Sequence, residues 1–142
     1  MSFIFKKRIY GYECDIYGHL NNSNYLQILE AARSEAMQDM GVTIRQMLDA
    51  RWHIYILHFE LDYIKAVQLE DIIEIRSKII WMNRVKGDWI QEIYNPAGEL
   101  CFMAKLTAVF AYEGKPARLA PQFYDVFMRY VETNAEVKSD NP

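Results

Sequence analysis

One short stretch of the chain combines an acid, a glycine and the start of a helix. It reads Asp15-Ile16-Tyr17-Gly18-His19-Leu20-Asn21-Asn22-Ser23-Asn24-Tyr25. This arrangement can place the Asp15 carboxylate beside the first backbone N–H groups of a helix, which have no partner inside the helix. Hydrolysis of a carbonyl needs both a group that activates water or attacks directly and donors for the oxyanion. The stretch therefore predicts hydrolytic chemistry centred on Asp15.

The other residues of the stretch have more than one possible role. Asn22 would act through its backbone N–H, where the helix dipole favours negative charge, while its side chain could cap the helix. Gly18 suits a positive φ or a close approach to a ligand. His19 titrates near neutral pH, but we favour hydrogen bonding that orients the turn. We take Gly18, His19 and Tyr25 as candidate substrate-binding residues, although Tyr25 also fits helix packing.

Competing interpretations remain for several groups. Asp15 could simply cap an Asx-turn, as aspartates in loops often do. Cys14 should point away from Asp15 on a strand, so we interpret it as a packing residue. His53 and His58 are separated by an odd number of positions, which predicts opposite faces of one strand and argues against a metal site.

Two helices are predicted to follow the loop. Asn22 to Met40 carries apolar residues at steps of three and four, with Asn22 or Ser23 as the cap and Gly41 just beyond the end. Thr43-Ile44-Arg45-Gln46 fits a capping box, which predicts a short helix to about Ala50.

Five strands and a last helix complete the predicted order. The first strand is Phe3 to Glu13, and four more are His53–Ile64, Asp71–Trp81, Lys86–Tyr94 and Leu100–Tyr112. In the second strand, alternation puts Tyr55, Leu57, Phe59, Leu61 and Tyr63 on one face. Short turns between strands favour an antiparallel sheet, and Pro121 can begin the last helix. The fold class is α+β, with an antiparallel sheet covering one long central helix.

The composition fits a single globular domain over 1–142, ending in a polar tail at 134–142. Of the 142 residues, 51% are hydrophobic and 25% charged, and the net charge of -3 argues against a general nucleic-acid binder. The N-terminus lacks an apolar signal-peptide core, and no segment is long enough to span a membrane. With two cysteines and no CxxC spacing, reduced thiols are the simpler expectation and a disulfide is the alternative. We therefore expect a cytoplasmic protein without a membrane partner.

The chain resembles the 4-hydroxybenzoyl-CoA thioesterase family, whose members have the hotdog fold. The likeness rests on Asp15-x-x-Gly18-His19-Leu20-Asn21-Asn22-x-x-Tyr25 and on Glu30-Ala31-Ala32-Arg33, and Tyr63 and Asp71 also match. It implies that Asp15 is the catalytic carboxylate and that the Asn22 N–H holds the thioester carbonyl. Plant acyl-carrier-protein thioesterases are similar but use an Asp-x-Asn-x-His pattern. Tyr17 replaces the middle Asn here, which favours a mechanism centred on Asp15.

The resemblance further implies an acyl-CoA substrate, no metal or redox cofactor, and a homodimer or homotetramer with sheets joined edge to edge. Asp15 could be a general base or a nucleophile, and the thiol could belong to coenzyme A or to a carrier protein. Lys65, Arg76, Lys78, Arg84 and Lys86 are available for coenzyme A phosphates. The alternatives are a non-catalytic acyl-binding protein and a hotdog hydroxyacyl dehydratase. The dehydratases carry a His-Phe-Pro-Gly stretch that this chain lacks.

Overall fold

An antiparallel sheet curls around one long helix in the computed structural model, which describes residues 2–132. The strands are β1 (Phe3–Arg8), β2 (Trp52–Tyr63), β3 (Ile72–Met82), β4 (Lys86–Tyr94), β5 (Leu100–Tyr112) and β6 (Lys115–Pro116), and the helices are α1 (Tyr25–Met40), α2 (Ile44–Asp49) and α3 (Pro121–Met128). The sheet order is β1-β3-β4-β5-β2, with β6 paired to β5. This confirms the predicted α+β hotdog architecture. The predicted tail at 134–142 lies outside the described residues.

The helix α1 packs against the concave face of the sheet through one stripe of side chains. Ala32 and Ala36 are 2% and 1% exposed, and these small residues let the helix approach the strands closely. Gly41 ends the helix with φ 87°, and its N–H donates to the carbonyls of Met37 and Gln38 at 3.1 Å each. The sequence stripe and the terminal glycine were thus sufficient to predict this element.

The start of the chain differs from the prediction. β1 ends at Arg8, and Gly11–Glu13 forms a 3₁₀ turn instead of continuing the strand. The cause is local, because the Glu13 carboxylate accepts hydrogen bonds from the Tyr10 N–H at 2.9 Å and from the Lys7 ammonium at 2.8 Å. These bonds close the turn on itself.

A β-bulge in β2 overturns the predicted face of that strand. The register against β5 shifts between Ile56 and His58, so Leu57 is the extra residue. Ile54 and Ile56 therefore share the concave face with Phe59. The bulge also brings His53 and His58 to the same, convex face, because their partners on β5 are an even number of residues apart. The prediction of opposite faces was wrong because alternation assumes a regular strand.

His53 bonds to its neighbour on the convex face. Its Nδ1 lies 3.0 Å from the Tyr55 hydroxyl. Within residues 2–132, no group of three or more His, Cys, Asp or Glu side chains is arranged to hold a metal ion. None of the helices in the same range has the length and apolarity of a membrane span.

Candidate active site

Asp15 lies in a tight hairpin loop. Cys14 and Leu20 form an antiparallel bridge, and the Asp15 N–H donates to the His19 carbonyl at 2.8 Å. The turn closes where the Gly18 N–H donates to the Asp15 carbonyl at 3.1 Å. Gly18 has φ +73°, and a Cβ there would meet nothing within 4 Å. Backbone conformation, not close approach, is therefore what requires glycine at this position.

The Asp15 carboxylate uses one oxygen to hold its own loop. Oδ1 accepts the N–H of Tyr17 at 2.9 Å and that of His19 at 3.2 Å. This is the Asx-turn expected from sequence. Within residues 2–132, Oδ2 makes no hydrogen bond, and the side chain is half-buried. One oxygen thus fixes the carboxylate while the other stays available for a proton or an acyl carbon.

Asn22 begins a 3₁₀ turn, Asn22–Asn24, that leads directly into α1. The cap of this turn is Asn21, not the predicted Asn22 or Ser23, and its Oδ1 accepts the Ser23 N–H at 3.0 Å and the Ser23 hydroxyl at 2.9 Å. The predicted α-helix therefore starts at Tyr25 and is preceded by a tighter turn. The Asn22 N–H finds no acceptor among the described residues and lies at an exposed position. It is a free backbone donor at the start of a helix.

Tyr63 at the end of β2 completes the surroundings of Asn22. Its hydroxyl donates to the Asn22 carbonyl at 3.0 Å. Its ring packs edge-on against Tyr25 and Phe102, with centroids 5.1 and 4.9 Å apart. Tyr25 is 3% exposed, and burial raises the pKa of its phenol, with a smaller contribution from the Asp15 charge. Tyr25 therefore packs below the site and stays protonated.

The imidazole of His19 makes no hydrogen bond with any group in residues 2–132, although the residue is half-buried. The bonds that hold the turn come from the His19 backbone, through its N–H and carbonyl. The imidazole is thus not the group that orients the loop.

Two further residues support the loop, and sequence reasoning missed both. The Asn24 side-chain amide donates to the Glu13 carbonyl at 2.9 Å, which ties the helix start to the hairpin. Glu13 is 6% exposed and pairs with Lys7 at 2.8 Å. No sequence pattern marks these contacts, because they depend on the 3₁₀ turns that bring residues 13 and 24 together.

Cys14 directly precedes Asp15, and of the candidate phosphate-binding residues Lys65 lies nearest to Tyr63 along the chain. Burial, together with the charges of Asp15 and Glu13, raises the pKa of the Cys14 thiol. A protonated thiol is a poor nucleophile, which agrees with a packing role. Lys65 lies two positions after Tyr63 and pairs with Glu99 at 2.6 Å.

The fold and the site together define a hotdog protein with a carboxylate on the Cys14–Leu20 hairpin and a free backbone amide two residues after it, at the start of the helix. A family model described as the thioesterase-like superfamily matches residues 11–129. The chain belongs to this superfamily, which makes it a thioester hydrolase.

Individual relatives agree with this assignment. The long-chain acyl-CoA thioesterase FadM of Escherichia coli (strain K12) is 27% identical over 103 residues, which are 72% of this chain and 77% of that protein. A solved DHNA-CoA thioesterase from Staphylococcus aureus superposes with a TM-score of 0.85 at 20% identity, covering 90% of this chain and 89% of that one. A 1,4-dihydroxy-2-naphthoyl-CoA thioesterase from Synechocystis gives 0.82 at 15% identity, covering 90% and 96%. The two structures establish the hotdog fold.

Proposed function

We propose that the protein hydrolyses acyl-CoA thioesters to a free carboxylic acid and coenzyme A. The observation that carries the proposal is the unpartnered Asn22 N–H at the start of the helix, two residues after the hairpin that holds a carboxylate with one free oxygen. A thioester carbonyl bound to this N–H would develop its negative charge where the helix start stabilises it.

Two routes fit this arrangement. In the first, Asp15 Oδ2 takes a proton from water, the hydroxide attacks the carbonyl carbon, and the thiolate leaves and recovers the proton from Asp15. In the second, Asp15 attacks the carbonyl carbon itself, the thiolate leaves, and water hydrolyses the resulting mixed anhydride. Both routes place the oxyanion on Asn22. Both use only water and groups of the chain, so the proposal involves no metal or redox cofactor.

Substitution of Asp15 by Asn tests the mechanism directly. Asn keeps an Oδ1 acceptor for the two loop N–H groups but cannot take a proton or form the anhydride. We expect kcat to fall by about 100-fold to 10,000-fold across a panel of acyl-CoA substrates, with an unchanged circular dichroism spectrum. Asp39→Asn, at an exposed position on α1, is the matched control. Full activity of D15N would refute the catalytic role, and saturable acyl-CoA binding without hydrolysis in the unmutated protein would favour a binding module.

We also infer that two copies pair through β2. This strand is one edge of the sheet, and its backbone is paired only with β5 in residues 2–132. Tyr55, Ile56 and Leu57 are 47%, 41% and 64% exposed along it. A long apolar edge strand favours pairing with another chain, and a second copy supplies the same edge. The pairing fits the dimer that the family resemblance implies, and two such dimers could form a tetramer.

A further inference from the structure

A groove between α1 and β2 is a second place where this chain could bind a small molecule. It has a volume of about 300 Å³, which is at the lower end of the range for small-molecule sites. Asp15, Asn22 and Tyr63 are not among the residues that line it. Within one subunit the groove is therefore separate from the candidate active site.

The lining of the groove changes from polar to apolar along α1. Glu30, Arg33, Ser34 and Met37 all line it, and their spacing puts them on one face of the helix. From Glu30 to Met37 the helix rises about 10 Å. The polar residues lie at the end nearer the helix start, so the polar groups of the groove are grouped together.

The surroundings of Met37 are apolar. A smaller cavity of about 20 Å³ adjoins the groove, and both are lined by Met37, Ile54, Trp89 and Ala108. The described residues around this smaller cavity carry no charged or hydroxyl side chain. The groove therefore suits a ligand that has a polar head and an alkyl chain.

Arg33 is held at the polar end by a buried network. Its Nη1 donates to Gln91 Oε1 at 2.9 Å, and its guanidinium carbon lies 5.8 Å from the centroid of the Phe59 ring. Gln91 in turn donates through Nε2 to the Leu29 carbonyl at 3.0 Å and to the Ser77 hydroxyl at 2.9 Å. Because buried polar groups are costly unless they are bonded, this network fixes the position of the guanidinium.

The other edge of the guanidinium is open to a ligand. Among residues 2–132, Arg33 Nε and Nη2 donate to no acceptor, and no carboxylate lies within ion-pair distance of Arg33. Burial lowers the pKa of Arg33, as expected for a cation that has lost hydration without gaining a close counter-charge. Nε and Nη2 point to the same side of the planar group, so together they can bind both oxygens of one carboxylate.

Glu30 and Ser34 complete the polar end. Glu30 also lines the groove, and its charge opposes the effect of burial on the pKa of Arg33. Its position is exposed, so water and salt screen its repulsion of an anion more than they screen the attraction from half-buried Arg33. The Ser34 hydroxyl makes no hydrogen bond within the described range, so it is a further donor for the head of a ligand.

We propose that this groove binds a medium-chain carboxylic acid, with the carboxylate on Nε and Nη2 of Arg33 and the alkyl chain along Met37 and Trp89. The site does not depend on the proposed hydrolysis, because it uses neither Asp15 nor Asn22. Free carboxylic acids are nevertheless the product class of that reaction, so the groove would bind a product-type ligand at a second position.

Titration calorimetry tests the site without any turnover. We would compare decanoate with decanol, each below its micelle or solubility limit. Decanol has the same alkyl chain but no carboxylate. Hydrogen bonds between charged groups predict that decanoate binds about tenfold to a hundredfold tighter than decanol. Equal affinities for the two, or no saturable binding of decanoate, would overturn the inference.

Substitution of Arg33 assigns the preference to this residue. R33M keeps an apolar side chain of similar length and should abolish the preference for decanoate while decanol still binds. R33K keeps the charge and loses the planar fork, so it should bind decanoate more weakly than the unmutated protein does. R118M, at an exposed position that lines neither cavity, is the matched control. Unchanged decanoate affinity in folded R33M or R33K would refute the role of Arg33.

Trp89 reports where the alkyl chain lies, because it lines both the groove and the smaller cavity. Bromine quenches tryptophan fluorescence at short range, so 10-bromodecanoate should quench the emission of the unmutated protein. The W89F variant should lose most of this quenching while calorimetry still detects binding. Quenching that is undiminished in W89F would place the chain near another tryptophan and contradict the proposed position.

The D15N protein separates this site from the proposed active site. A carboxylate bound beside Asp15 would bind more tightly once that charge is removed, whereas decanoate at Arg33 should bind D15N and the unmutated protein equally. A changed affinity in D15N would thus overturn the inference. Acyl-CoA hydrolysis without decanoate binding would leave the thioesterase function intact and refute the groove. Arg33-dependent decanoate binding without hydrolysis of any acyl-CoA would do the reverse.

Discussion

The hydroxyl of Tyr63 donates a 3.0 Å hydrogen bond to the carbonyl oxygen of Asn22, joining the end of β2 to the turn before α1. The same residue, Asn22, carries the free N–H that we assign to the oxyanion. Tyr63 is itself fixed by edge-on ring contacts with Tyr25 and Phe102. The sheet thus holds the turn before the helix, and the position of the proposed oxyanion donor depends on a strand residue 41 positions away.

Removal of this hydroxyl should therefore weaken catalysis more than it weakens the fold. For Tyr63→Phe we expect the activation free energy to rise by about 1 kcal/mol because the hydrogen bond that positions Asn22 is lost. This corresponds to a decrease of about fivefold in kcat. Steady-state kinetics with one acyl-CoA gives the measurement. Tyr55→Phe, which loses a hydroxyl contact to His53 on the same strand, should leave kcat unchanged. Equal kcat values for Y63F and the unmutated protein would show that the bond does not position Asn22.

The conformation of Gly18 predicts a second effect. An L-residue at φ +73° is strained, so Gly18→Ala should lower the free energy of unfolding by about 1–2 kcal/mol. The Asp15 loop should also rearrange to relieve this strain, and the rearrangement should lower kcat. Gly11→Ala is the matched control, because Gly11 has an ordinary φ and equally open surroundings. Urea unfolding and kinetics on both variants provide the comparison, and similar stabilities for the two would contradict the strain argument.

The parts of this molecule that follow local rules were predictable from sequence. The apolar stripe and Gly41 defined the end of α1, and Thr43 with Gln46 defined α2 through a capping box that the structure contains. Hydrophobic periodicity also located β4 and β5 to the residue. These features depend on neighbours along the chain, so a pattern in the sequence is enough to find them.

The predictions that failed concern features that depend on residues far apart in the sequence. The bulge at Leu57 arises from the pairing of β2 with β5, and it moves Ile54 and Ile56 to the concave face. The link between Arg33 and Gln91 joins residues that are 58 positions apart in the sequence. No helical periodicity can show such a contact. This contact is therefore visible only in three dimensions.

Tyr25 leads to a prediction about alkaline pH. Burial raises the pKa of its phenol above the ordinary value of 10.0, so the folded state keeps a proton that the unfolded state loses. The resulting stability is complete below pH 10 and is lost as the pH rises through the folded-state pKa. The free energy of unfolding, measured with urea at pH 8, 10 and 11, should decline above pH 10. The decline should be shallower in Tyr25→Phe. Tyr12→Phe, at an 83% exposed position, should keep the full slope, and identical slopes in all three proteins would contradict the assignment.

The exposed apolar edge of β2 predicts how the protein assembles. Leu57 is 64% exposed at the bulge, and a lysine there would place a charge in the interface that we infer between two copies. Lysine on an edge strand opposes strand pairing, so Leu57→Lys should shift the protein toward monomers. Ile4→Lys is the matched control, because Ile4 is 57% exposed on β1 at the opposite edge of the sheet. Sedimentation velocity over a range of concentrations should show a dimer for the unmutated protein and I4K and a weakened dimer for L57K. If I4K dissociates while L57K stays dimeric, the contact lies at β1 instead. A monomer for the unmutated protein at every concentration would exclude pairing altogether.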